Sequence, residues 1–328
     1  MKRIFLFSAF LVLLFSAAAQ SDAGYEIKVT FKPFKNQYIY LGHYFGKTYP
    51  IIDSALLNEK SEAVFKGDGN LNGGIYLIGY PKKTGFFEVL VDKQQRFSIT
   101  ADTATIGSSI KFENSSDNVL FNHYQQFMTG KGKEINKLKD SYKTSTSKKD
   151  SAVIREKLIK LDEDIAAFRA DIIKNYRGNI LTALLMTMKE HALTGRLKNP
   201  KTKEDSLASW QYYKDHFWDD VSFYDGRMAY TTFFEEKLDK YFNQIVVPHP
   251  DSVIKELDWM LGTASINSEM TRFLLIKFVN RYLNQKYMWE DAVFLYLFEK
   301  YFAQKEHSWL TAAGKKVITD RAYSLMAN

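Results

Sequence analysis

The apolar residues of this chain change their spacing once, near Asn114, and that single change constrains the fold more than any other feature. Before it the pattern alternates. Tyr25, Ile27, Val29 and Phe31 are separated by Glu26, Lys28 and Thr30, the period-two spacing of a half-buried strand. Further short runs follow at 38–45, 51–57, 63–65, 75–78, 86–91, 97–100 and 110–112. Turn residues such as Gly67-Asp68-Gly69-Asn70, Gly73-Gly74 and Asp92-Lys93 separate them. Many short strands with turn signals between them predict an antiparallel β-sandwich or open barrel over residues 20–115.

Beyond Asn114 the spacing is helical. Ser116 or Asp117 is placed to cap a helix that opens NVLFNHYQQF. The lysine-rich stretch 130–150 reads as a solvated helix–loop connection, with an anionic surface as the alternative use of its charge. Ile154, Leu158, Leu161, Ile165, Phe168 and Ile172 then recur every three or four residues, one apolar stripe along a long helix. The stripe is too short for a persuasive coiled-coil homodimer and is expected to pack within its own bundle. Gly178-Asn179 ends that helix, and further helices are expected at 180–193, 205–217, 230–245, 251–262, 267–285, 289–304 and 308–326. The fold class expected is therefore α+β, an N-terminal β-sandwich or open barrel followed by an all-helical bundle over 116–328.

The first residues form an export signal by pattern. Lys2 and Arg3 precede the apolar run Ile4–Phe15, and Ala17, Ala18 and Ala19 offer a small-residue cleavage site before Gln20. The run is shorter than the ~20 residues a spanning helix needs, so no membrane anchor is expected after cleavage. With no cysteine at the junction, lipoprotein attachment is not expected either. The chain is expected in the periplasm or cell envelope. Its formal net charge of +7 falls by two once Lys2 and Arg3 are removed. Export together with a mild basic balance argues against a nucleic-acid partner.

The chemistry is defined mostly by exclusion. Zero cysteine excludes a disulfide framework, thiolate zinc sites, a CxxC pair and a cysteine nucleophile within these residues. The six histidines are scattered, and no HExxH, phosphate-binding loop or G-x-S-x-G elbow is present. No catalytic residue, metal or cofactor is assigned. The most distinctive stretch runs from Tyr212 to Arg227. Within it Tyr212, His216, Phe217, Trp218, Asp219, Asp220 and Tyr224 form a candidate ligand or partner surface, because aromatics beside acids stack on and hydrogen-bond to sugars or peptides. Domain junctions are frequent sites of pockets, so a groove for a glycan or peptide, lined by residues such as Tyr212, Phe217, Trp218 and Tyr224, is expected between the β part and the helices. The same residues also suit a structural junction, with Phe217, Trp218, Phe223 and Tyr224 packed between helices and aspartates at helix ends.

Taken with the leader, several segments resemble a known family. These are Gly73-Gly74-Ile75-Tyr76-Leu77-Ile78, the run from Phe86 to Asp102, Ser116-Asp117-Asn118-Val119-Leu120-Phe121, His216-Phe217-Trp218-Asp219-Asp220, Pro250-Asp251-Ser252 and Trp289-Glu290-Asp291-Ala292-Val293-Phe294. The chain resembles the N-terminal region of thioredoxin-like thiol–disulfide oxidoreductases of the TlpA and ResA type found in Bacteroidota envelopes. In that family the region precedes a thioredoxin-like domain carrying CxxC. The resemblance implies a non-catalytic accessory region that positions or dimerises such a domain, in cis or in trans, or selects its partners. It carries over no catalytic residue. It also implies that these residues are either part of a longer protein or a stand-alone relative.

Overall fold

The computed structural model describes residues 24–106, 110–145, 147–193 and 195–327; the expected leader, 1–19, lies outside them. Eight strands come first: β1 (Tyr25–Lys32), β2 (Tyr38–His43), β3 (Ile51–Leu56), β4 (Glu62–Gly67), β5 (Gly74–Gly79), β6 (Phe86–Val91), β7 (Arg96–Asp102) and β8 (Lys111–Glu113). They form two four-stranded sheets, β4-β1-β7-β8 and β3-β2-β5-β6. The alternation in β1 is realised as expected. Ile27, Val29 and Phe31 are fully buried and meet Ile39 and Leu41 of β2, Tyr76 and Ile78 of β5, and Val89 and Val91 of β6 in one sandwich core. One pairing departs from the antiparallel expectation: β1 runs parallel to β7, with Val29 opposite Ile99. Alternation states which face a side chain takes, whereas the neighbouring strand is set by chain topology.

Two long helices follow, α1 (Ser116–Thr144) and α2 (Lys148–Asn175), joined by three residues into a hairpin. The lysine-rich stretch expected as a helix–loop connection is helical as far as Thr144, and the loop is the short link before Lys148. The arms brace each other where propensity alone would leave a marginal helix. Phe127 lies 4.0 Å (ring centroids) from Phe168, and Lys131 pairs with Asp164 at 2.7 Å. The N-cap of α1 is Ser115, one residue ahead of the expected candidates, its Oγ accepting from the Asn118 amide. Next come α3 (Ile180–Met188), α4 (Gly195–Lys198), α5 (Lys203–Asp215), a 3₁₀ turn at Gly226–Tyr230, α6 (Phe233–Gln244), α7 (Pro250–Ala264), α8 (Ser268–Leu283), α9 (Glu290–Leu297) and α10 (Ala312–Met326). Asn267 caps α8 through the Met270 amide, and Pro250 opens α7, both where the sequence puts a helix start.

The helical core holds Phe234, Leu257, Phe273, Leu274 and Phe294 and extends onto the sandwich through Ile75 and Leu90. The sheet β3-β2-β5-β6 is therefore covered on both faces at β5. A Cβ on Gly74 would lie 2.3 Å from the Tyr230 Cβ, so only glycine lets the 3₁₀ turn rest on β5. Around that contact a polar network closes the junction. Asn72 Nδ2 donates to Tyr230 Oη at 2.6 Å, Tyr230 Oη donates to Glu269, and Arg272 donates to Glu269 at 2.7 Å. Burial pushes the Tyr230 phenol up to about 12, with the Glu269 hydrogen bond adding to it. On the other side of the junction the Lys47 amide donates to Glu235 Oε2 at 2.6 Å, and Lys277 pairs with the same carboxylate.

Candidate functional site

The distinctive segment Tyr212–Arg227 divides in the structure. Phe217 and Trp218 are core residues, 5% and 9% exposed, and pack with Tyr241, Phe223 and Phe234. They are corrected from the candidate surface and, with Phe223, take the structural-junction alternative instead: rings of this size gain most from burial. Tyr224 is exposed but stands apart, its carbonyl accepting from Asn267 Nδ2. The expected lining of a junction groove by Tyr212, Phe217, Trp218 and Tyr224 is not what forms. The opening beside the sandwich is a shallow one of about 660 Å³ whose walls include His43, Phe45, Tyr49, Arg272 and Trp309.

The other four candidates do come together. At the end of α5, Tyr212 lies against the His216 ring, centroids 4.3 Å apart. His216 Nδ1 and Asp219 Oδ2 are 2.6 Å apart, and this hydrogen bond holds the Asp219 carboxyl below its ordinary range. Asp220, in a left-handed backbone conformation that Asp tolerates better than most residues, receives Lys189 Nζ at 2.7 Å. His191 Nε2 sits 3.6 Å from Asp220 Oδ2 and 4.0 Å from Asp219 Oδ2. The cluster thus joins the end of α5 to the segment after α3, presenting imidazoles and carboxylates as hydrogen-bonding groups. Among the described residues, no group of three His, Asp or Glu side chains could hold a metal ion.

Two concavities meet at Met188–Glu190. On one side is a cleft of about 280 Å³ walled by His191, Tyr213, His216 and Lys237. The Lys237 ammonium donates to the carbonyls of Thr187 at 3.0 Å and Lys189 at 3.1 Å, closing the C-terminal end of α3. It also lies 5.2 Å from the Phe217 ring. Burial pushes this lysine down to about 8 from 10.5. Sequence inspection gave no sign of it, because the shift depends on what is packed around the amine. Between about pH 8 and pH 10.5 the unfolded chain binds the extra proton, so stability rises with pH across that window. Measured against Lys237→Met, the wild-type chain will gain stability in chemical denaturation as pH is raised through this range. A stability difference that stays flat or falls would refute the assignment.

On the other side is a larger groove, about 900 Å³, between α2 and α3. Its floor is apolar: Ala166, Ala170 and Ile173 from α2, Leu185, Met186 and Met188 from α3. Ala166, Ala170 and Ile173 follow helical spacing on a face next to the stripe that packs on α1. The two alanines leave the space that larger side chains would close. Arg169, Lys174 and Arg177 stand along the α2 side, and Lys189 with its partner Asp220 closes the end nearest the histidine cluster. The groove was missed in the sequence. Its only local signal is the pair of alanines flanked by basic residues, and the facing wall comes from another helix.

Residues 186–328 match the family model described as Domain of unknown function (DUF5106). Neither a curated protein nor a solved structure matches the chain. The matched segment begins at Met186 on the groove floor and includes the histidine–aspartate cluster and Lys237.

Proposed function

We propose that this chain is a non-catalytic binding module of the cell envelope that works beside a thioredoxin-like thiol–disulfide oxidoreductase. In this reading it holds a polypeptide segment, of that enzyme or of its client, in the α2/α3 groove. The observation that carries the reading is the groove itself: an apolar floor with two adaptable methionines and a cationic α2 rim. Methionine side chains conform to varied apolar partners, and a basic edge selects acidic ones. The size lies within the range of ordinary ligand sites. The export pattern and the resemblance of the β and α segments supply the compartment and the redox context. The absence of cysteine leaves attack on a disulfide to another domain or chain.

The test is fluorescence polarisation with labelled amphipathic peptides of acidic, neutral and basic composition. Acidic peptides are expected to bind more tightly than basic ones. Ala170→Trp, which fills the groove from an exposed helix position, is expected to weaken binding by about tenfold or more. Equal binding by that variant would remove the groove from the proposal. Dithiol-dependent insulin reduction above background would remove its non-catalytic part.

A further inference from the structure

The proposed function makes no use of the distal half of the α1/α2 hairpin, yet it is the most charged part of the molecule. Residues 130–160 hold ten Lys or Arg against four Asp or Glu, a net +6 out of +7 for the whole chain. The buried residues of α1 are Asn118, Leu120 and Phe121, all in its first turns. From Phe121 to Thr144 the helix runs on for about 35 Å at 1.5 Å per residue. Among the described residues, the side-chain hydrogen bonds and ion pairs of 131–160 stay within the hairpin, as in Lys131 with Asp164 and Arg155 with Tyr142. The lysines Lys133, Lys137, Lys139, Lys148 and Lys149 are exposed. Between them stand exposed apolar side chains: Tyr142 at 42%, Val153 at 44% and Ile159 at 52%.

We infer that this hairpin end docks on an anionic phospholipid surface. Dense positive charge draws a protein to acidic headgroups. Exposed apolar and aromatic side chains interleaved with that charge favour a bilayer interface over a polyanion in water, because they gain only where a hydrocarbon boundary receives them. No helix of the described residues is long and apolar enough to cross a membrane, and the inferred docking is at the lipid surface. The hairpin holds the body, with the α2/α3 groove near its base, away from the lipid. Docking of this kind is independent of what the groove binds.

The described residues from Gly24 carry both cores, so the chain from Gln20 onward is the species to test, free of the apolar leader. Sedimentation with phosphatidylcholine vesicles with and without phosphatidylglycerol is the measurement. Binding is expected only with phosphatidylglycerol, falling as salt rises. Each lysine near an acidic surface contributes about fivefold, so the quadruple variant Lys137→Glu, Lys139→Glu, Lys148→Glu, Lys149→Glu is expected to bind at least a hundredfold more weakly. Its melting temperature should match wild type, since the four positions are exposed and Glu is a good helix former. The triple variant Tyr142→Ser, Val153→Ser, Ile159→Ser is expected to retain heparin binding and lose vesicle binding about tenfold. Three results would overturn the inference: equal binding to both vesicle types, wild-type vesicle binding by either variant, or a dimer in sedimentation equilibrium that the quadruple variant abolishes without any vesicle dependence.

Discussion

Asn118→Leu will destabilise the chain by about 3–5 kcal/mol, close to the size of mutational loss that unfolds marginal domains. Asn118 is fully buried at the start of α1. Its side-chain amide occupies the free edge of β6 as a short strand would. Oδ1 accepts from the Leu90 amide at 2.7 Å, and Nδ2 donates to the Leu90 carbonyl at 2.7 Å and to Ser115 Oγ at 2.9 Å. Leucine keeps the branched shape, with two somewhat larger methyl groups, and removes the acceptor and the donor that Leu90 uses. Two buried backbone groups of β6 are then unsatisfied, each costing about 1–3 kcal/mol, and the helix cap loses a neighbour. Urea unfolding gives the loss, and hydrogen exchange at Leu90 locates it. Asn122 provides the control. Its Nδ2 donates to the Ile110 carbonyl at 3.2 Å from a half-buried position, so Asn122→Ala should cost about 1 kcal/mol. Equal losses at the two positions would show that Asn118 is not the special link.

The contrast also explains what the sequence made legible. Ile27, Val29 and Phe31 announce a strand and its buried face because alternation is local. That β1 lies between β4 and β7, parallel to the latter, is a property of residues some 70 positions apart in sequence and leaves no trace in either strand. Helix starts at Asn267 and Pro250 are readable because a cap uses neighbouring residues. Within the helix–loop stretch 130–150 the sequence does not show where helix gives way to loop, since the support for the helical part comes from Phe168 and Asp164 on the other arm. Ser116-Asp117-Asn118 was legible as a helix start, but the role of Asn118 in satisfying an edge strand was not.

For the candidate site the same division holds. His216, Asp219 and Asp220 are close in sequence and meet at the end of α5, as a short segment must. Which of the aromatics beside them face inward depended on α6, whose Phe234 and Tyr241 receive Trp218. The α2/α3 groove and the depressed Lys237 are products of helix placement. Neither has a motif, and both lie beside residues that the sequence had already singled out.

Arg227→Met will produce the second large loss, about 3–4 kcal/mol, and will do so by stranding charge. The guanidinium forks onto Asp225, Nε to Oδ1 at 2.8 Å and Nη2 to Oδ2 at 2.7 Å, and its Nη1 donates to Asp92 Oδ2 at 2.6 Å. Nη1 also reaches the Gly178 carbonyl at 3.3 Å, so one side chain ties the sandwich, the α2–α3 turn and the 3₁₀ turn together. The Asp225 carboxylate beside it holds the guanidinium well above its ordinary range. Its stem crosses Gly73, where a Cβ would come within 2.7 Å, so this glycine serves a close approach as well as a turn. Methionine keeps most of that packing but leaves Asp92 and Asp225, with side chains 12% and 18% exposed, without their cation. Asp117 lies in the same field. Burial pushes its carboxyl up, with the Asp92 charge adding to the rise and Arg227 opposing it. Removing Arg227 removes that opposition, so the folded form of the variant gains more from protonating Asp117 than wild type does. The stability gap between wild type and Arg227→Met will therefore narrow as pH falls through the carboxylate range in urea unfolding. Arg227→Lys separates charge from geometry. A lysine supplies one ammonium where a planar fork bridged two carboxylates and a carbonyl, and it should recover about half of the loss. Full recovery by lysine, or a gap that widens in acid, would show that the Arg227 bridge does not work through its fork and its charge.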